Sequence, residues 1–159
     1  GMDIDAVEST LGYALSKNAN EGIEIDNETD YRTDSYEGSA VFKETKASSL
    51  FGATGTVSYT FGAGSLKDVT VSCYAEDNSQ EQLAEAYEQT LSELISLYGE
   101  PDRAGDSDAL GLLSVNAHWV GSNVDGKRTG LNCMILYTDT EQTEIHSFVL
   151  AVSTYGEES

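Results

Sequence analysis

The 159-residue chain carries 28 acidic residues against 8 basic ones, a formal net charge of −20. That excess repels phosphate backbones, which proteins bind by neutralising them with Lys and Arg, and it repels anionic membrane surfaces; nucleic-acid partners are excluded on this ground. The length suffices for one domain that folds without disulfides or metals, and no stretch of sequence approaches the ~20 apolar residues of a membrane span.

In chain order, the first expected element is a helix over residues 3–15. Asp3 serves as its cap, and Ile4, Val7, Leu11 and Leu15 form its apolar stripe, with Gly12 weakening or ending the last turn. An acidic, polar loop follows. Strands are then expected at Gly38–Glu44, Thr56–Phe61 and Leu66–Ala75, the last two joined by the turn Gly62-Ala63-Gly64-Ser65. Alternation puts Val57, Tyr59 and Phe61 on one side, and Val69, Val71, Cys73 and Ala75 inward.

The clearest helix spans 79–98. Ser79 and Gln82 have the spacing of a capping box, and Leu83, Tyr87, Leu91, Leu94 and Tyr98 recur at helical period, with Ile95 beside them. Gly99 stops the helix and Pro101 prevents its return. Three more strands follow, at Ser114–Gly121, Thr129–Thr138 and Glu144–Thr154, with a turn around Asp125-Gly126.

The order helix, polar loop, three strands thus occurs twice, over pseudo-repeats of roughly 1–76 and 77–159 within one domain. The fold class expected is α+β: a mainly antiparallel sheet from two helix-plus-three-strand units, with the helices packed on one face.

The opening segment Gly1-Met2-Asp3-Ile4-Asp5-Ala6-Val7 through Leu11-Gly12 resembles the start of bacterial lipoproteins of the SmpA/BamE type. Leu97-Tyr98-Gly99-Glu100-Pro101 looks like the end of a second copy. Tandem units of this kind resemble β-lactamase inhibitor protein and secreted proteins of Gram-positive bacteria. Asp3 stands where that motif has Ser or Thr, and no proline follows Gly12. The resemblance implies a non-enzymatic protein, secreted or lipid-anchored outside the cytoplasm, that binds other proteins or envelope components.

Few residues suggest chemistry, and no cofactor is expected. Only His118 and His146 are available as histidine bases for nucleophilic catalysis. Alternation puts His146 in the apolar row of Phe148 and His118 opposite the row of Trp119. Cys73 and Cys133 read as small buried thiols, able to pair only if their strands are neighbours. Asp26, Glu28, Asp30, Asp34 and Glu37 follow a calcium-loop spacing, but Tyr31 stands where such a loop needs glycine, so a solvated acidic loop is the better reading. Asp102, Asp106 and Asp108 are read the same way.

The outward row of Ser58, Thr60, Thr70, Ser72 and Tyr74, with Asn116, His118 and Asn132, is expected to form a hydroxyl- and amide-rich platform where a partner protein or glycan docks. Tyr31 and Tyr36 are expected to assist, since Tyr is favoured in contact surfaces. A hydrolase with carboxylates between the two halves, or a calcium-stabilised structural domain, are the competing functional readings.

Overall fold

The computed structural model describes residues 2–12, 16–17, 40–43, 48–62, 65–109, 111–122 and 126–154. Helix α1 (Ile4–Leu11) begins where the Asp3 carboxylate accepts the Ala6 N–H at 2.8 Å. It ends at Gly12, whose φ of +80° a glycine adopts without steric cost. Strands β1 (Ser16–Lys17), β2 (Ala40–Lys43), β3 (Ser48–Leu50), β4 (Ala53–Gly62) and β5 (Ser65–Tyr74) follow. Helix α2 (Gln80–Tyr98) leads to β6 (Arg103–Ala109), β7 (Leu112–Ser122), β8 (Arg128–Tyr137) and β9 (Ile145–Thr154).

Among the described residues these strands make one nine-stranded sheet, ordered β1-β2-β4-β5-β9-β8-β7-β6, with β3 also on β4. Every pairing is antiparallel. The first and last parts of the chain meet at β5 and β9, whose ladder runs from Asp68↔Ser153 to Tyr74↔Ser147.

The expected fold class is overturned. The molecule is mostly antiparallel sheet, curved as a half-barrel, with only two helices among the described residues; it is not a pair of helix-plus-three-strand units with helices packed on one face. Two causes are visible. β6 reads Arg-Ala-Gly-Asp-Ser-Asp-Ala, so it has no apolar alternation; backbone pairing with β7 makes it a strand. The run of Asp106 and Asp108, expected as a loop, is therefore an edge strand, and its charges discourage edge-to-edge association. The helices are also unequal: α1 has eight residues and one buried side chain, Val7, whereas α2 has nineteen.

The main core lies under α2. Leu83, Ala86 and Leu94 of the helix meet Cys73, Ala117, Cys133, Ile135 and Phe148 of the sheet. Full burial of residues such as Leu83 and Phe148 is worth about 1.5–3 kcal/mol each. A separate small cluster joins Val7 of α1 to Val57, Tyr59 and Phe61 of β4.

Side chains brace α2 against the sheet. Ser79 and Gln82 form the expected capping box. Asn78 accepts the Thr54 N–H at 2.6 Å and donates to the carbonyls of Thr54 and Tyr74. Gln80 accepts the Ile145 N–H at 2.6 Å and donates to its carbonyl at 2.9 Å. At the far end, Trp119 Nε1 donates to the Gly99 carbonyl at 2.9 Å.

Cys73 and Cys133 are both free and fully buried. Their strands, β5 and β8, are separated by β9, which places the cysteines roughly 10 Å apart across two strand spacings. A disulfide requires Cα atoms within about 7 Å, so the two do not pair. Burial pushes the Cys133 thiol up to about 12 and also raises that of Cys73.

Candidate functional site

Side chains alternate between the two faces of a strand, and residues opposite one another in the register share a face. The rows Val71–Leu150–Cys133–Ala117 and Cys73–Phe148–Ile135–Val115 face α2. The rows between them face away. One is Thr70–Ala151–Asn132–His118–Arg103, and the next is Ser72–Val149–Met134–Asn116–Gly105. A third is Tyr74–Ser147–Leu136–Ser114–Ser107.

The sheet therefore brings Ser72, Tyr74, Asn116, His118 and Asn132 to one face, although they come from three strands. His118 Nδ1 lies 2.7 Å from Asn132 Oδ1, a bond that requires the proton on Nδ1. Tyr74 is 39% exposed and presents the largest aromatic surface of this row set. Thr60 shares the side, opposite Asp68, but is buried and offers nothing to a partner. Tyr31 and Tyr36, and the calcium-spaced Asp26, Glu28, Asp30, Asp34 and Glu37, lie outside the described residues. Among the described residues, no group of three or more His, Cys, Asp or Glu side chains is placed to hold a metal ion.

Two features of this face escape a reading by polarity. First, its centre is apolar: Met134 and Leu136 of β8 and Val149 and Ala151 of β9 interrupt the hydroxyls and amides. Alternation held the signal, since these residues fall between the inward Cys133, Ile135, Phe148 and Leu150. Second, His146 leaves the row of Phe148. The β8–β9 register jumps from Leu136↔Ser147 to Tyr137↔Ile145, so His146 is an extra residue with no partner on β8, while its carbonyl accepts the Ala75 N–H at 3.0 Å on the other side. Its ring meets Tyr74 edge to face, with centroids 6.0 Å apart, and its Nδ1 lies 3.0 Å from Ser147 Oγ. A Ser–His contact suggests a nucleophile and its base, but Ser147 is only 2% exposed and a substrate has no path to it.

A concavity of about 510 Å³ opens on the other face, at the C-terminal end of α2. Its floor is the row Trp119–Leu131–Val152, its wall Leu94 and Tyr98, and Glu100, Asp102 and Thr129 also line it. Asp102 Oδ2 accepts the Val120 N–H at 2.7 Å, which fixes that carboxylate to β7.

Among the described residues, no helix is long and apolar enough to cross a membrane. Searches for related sequences and folds bring no family to bear on these two surfaces: no family model, curated protein or solved structure matches the chain.

Proposed function

We propose that this chain is a non-enzymatic binding domain of the bacterial cell envelope that engages a partner protein through the sheet face opposite α2. The observation that carries the reading is the composition of that face. Met134, Leu136, Val149 and Ala151 make an apolar centre, ringed by Thr70, Ser72, Asn116, His118 and Asn132, and among the described residues no helix covers it. An apolar centre inside a polar rim is the anatomy of a protein–protein contact, and the exposed Tyr74 is the residue type that anchors one. The envelope location rests on the lipoprotein-like motif around Gly1 to Gly12 alone.

The hydrolase reading has two carboxylates in one concavity in its favour, Glu100 and Asp102. Both are exposed, and Asp102 already binds a backbone amide. Neither has the dry surroundings that suit a carboxyl group to acid catalysis.

A pull-down tests the proposal. Immobilised protein should retain a discrete partner from a bacterial envelope extract. Met134→Glu, which sets a charge at the centre of the face, should abolish retention, while Glu85→Lys on the outer side of α2 should not. Thermal melts check that both variants fold. Retention by folded Met134→Glu as strong as by the parent would discard this face.

A further inference from the structure

The concavity at the end of α2 borders the main core, sharing Leu94 and Trp119 with it, and lies apart from the open face. α2 lies over the strand rows of Ala117 and Val115, and α1 packs on β4. The row Trp119–Leu131–Val152 runs past the end of one helix and short of the other. Val152 at its β9 end is 43% exposed, and Tyr98, which lines the same cleft, is 63% exposed. Apolar side chains of this size are usually buried; here one from β9 and one from the last turn of α2 are left as floor and wall of a cleft of about 510 Å³.

The electrostatics of the cleft have one sign. The C-terminal end of a helix carries partial negative charge on its unpaired carbonyls, and α2 has no basic residue in its last turn to offset it. Glu100 and Asp102 follow at once and line the same cleft. An apolar floor beneath a negative rim suits side chains with a long apolar stem and a cationic head, which is the build of Arg and Lys. The exposed ring of Tyr98 adds a face on which a guanidinium can stack.

We propose that this cleft binds an extended basic peptide segment in which Arg or Lys alternates with aliphatic residues. The aliphatic side chains settle on Leu131 and Val152, and the cations meet Glu100, Asp102 and the end of α2. The chain's own segment 21–37 is a poor occupant, since it holds Glu21, Glu24, Asp26, Glu28, Asp30, Asp34 and Glu37 and would set like charges together. This site is independent of the sheet face proposed above.

Trp119 is the only tryptophan in the sequence and lines the cleft, so its emission reports occupancy directly. The full chain is titrated with capped (Arg-Leu)4, (Arg-Gly)4 and (Glu-Leu)4 peptides. The expected result is a saturable change with (Arg-Leu)4 alone, weakened at least tenfold in the Glu100→Gln/Asp102→Asn double variant. Asn at position 102 keeps an oxygen for the Val120 N–H, and a thermal melt confirms folding. Equal binding of (Arg-Gly)4 would reduce the effect to bulk charge, and equal binding of (Glu-Leu)4 would reduce it to hydrophobicity; either overturns the proposal. So does the absence of a saturable change. Binding that emerges only after deletion of residues 18–39 would make the chain's own segment the occupant and overturn it as well.

Discussion

At the scale of single residues, Gly55 shows how closely β4 and β5 approach. A Cβ there would lie 2.7 Å from Cys73 Sγ and 3.1 Å from the Ser72 carbonyl oxygen. Neither neighbour has room to retreat, because Cys73 is fully buried and Ser72 O is backbone. Gly55→Ala should therefore destabilise by about 1–3 kcal/mol, read from chemical denaturation. Gly105→Ala is the control: nothing lies within 4 Å of that Cβ, and its stability should stay within about 0.5 kcal/mol of the parent. Nothing in the two glycines' sequence neighbourhoods separates them. Alternation does place Cys73 inward, but only the register brings Gly55 against it. His146 is the same lesson for a candidate site residue: period two assigns it to the core, and one extra residue in the β8–β9 register turns it toward Tyr74.

At the scale of elements, α2 is readable from its local chemistry. Its cap, its apolar stripe and its terminating Gly99 all follow from contacts within a few residues. Where α2 sits on the sheet depends on amides whose role sequence does not announce. Asn78 is such a residue. It holds the first residues of β4 to the loop before α2, pairing with both the N–H and C=O of Thr54 as another strand would. Asn78→Ala leaves the Thr54 amide without that partner and should cost about 3 kcal/mol, since an unsatisfied buried polar group costs ~1–3 kcal/mol and two carbonyl bonds go with it. The melting temperature should fall by about 6–12 °C. A fall under a few degrees would mean that solvent replaces the bracket. β6 is the opposite case. Its polar sequence hid it, and it exists because β7 supplies a backbone edge.

At the scale of the whole molecule, the buried thiols make stability depend on alkaline pH. Folded Cys133 holds its proton up to about pH 12, whereas an exposed thiol loses it near 9.0. Above pH 9 the unfolded chain gains by ionising and the folded chain does not. Stability is thus complete below that pH and falls on the way to 12, by about 1.4 kcal/mol per pH unit for Cys133. Cys73 acts in the same direction, and Tyr87, pushed up to about 12 mainly by burial, joins above its ordinary 10.0. Denaturation curves from pH 8 to 11 should show this slope, and Cys133→Ala should reduce it even though the smaller side chain lowers the starting stability. An unchanged slope in that variant would mean that Cys133 is accessible to hydroxide in the folded protein.

What the sequence determined by itself was local or periodic. It included the two caps, the stripe of α2, the inward rows of β5, β7 and β8, and the net charge of −20. Each follows from residues within one turn or one strand, where spacing alone sets the geometry. The tertiary structure decided the rest. It joined β5 to β9, kept Cys73 from Cys133 by inserting β9, and gave the polar β6 a place at the edge. It also set Met134 and Val149 in the middle of a face that read as polar, and left Val152 uncovered beside Glu100 and Asp102. These outcomes depend on which strands become neighbours and in what register. That choice is made by long-range backbone pairing and shared burial, which leave little trace in any short stretch of sequence.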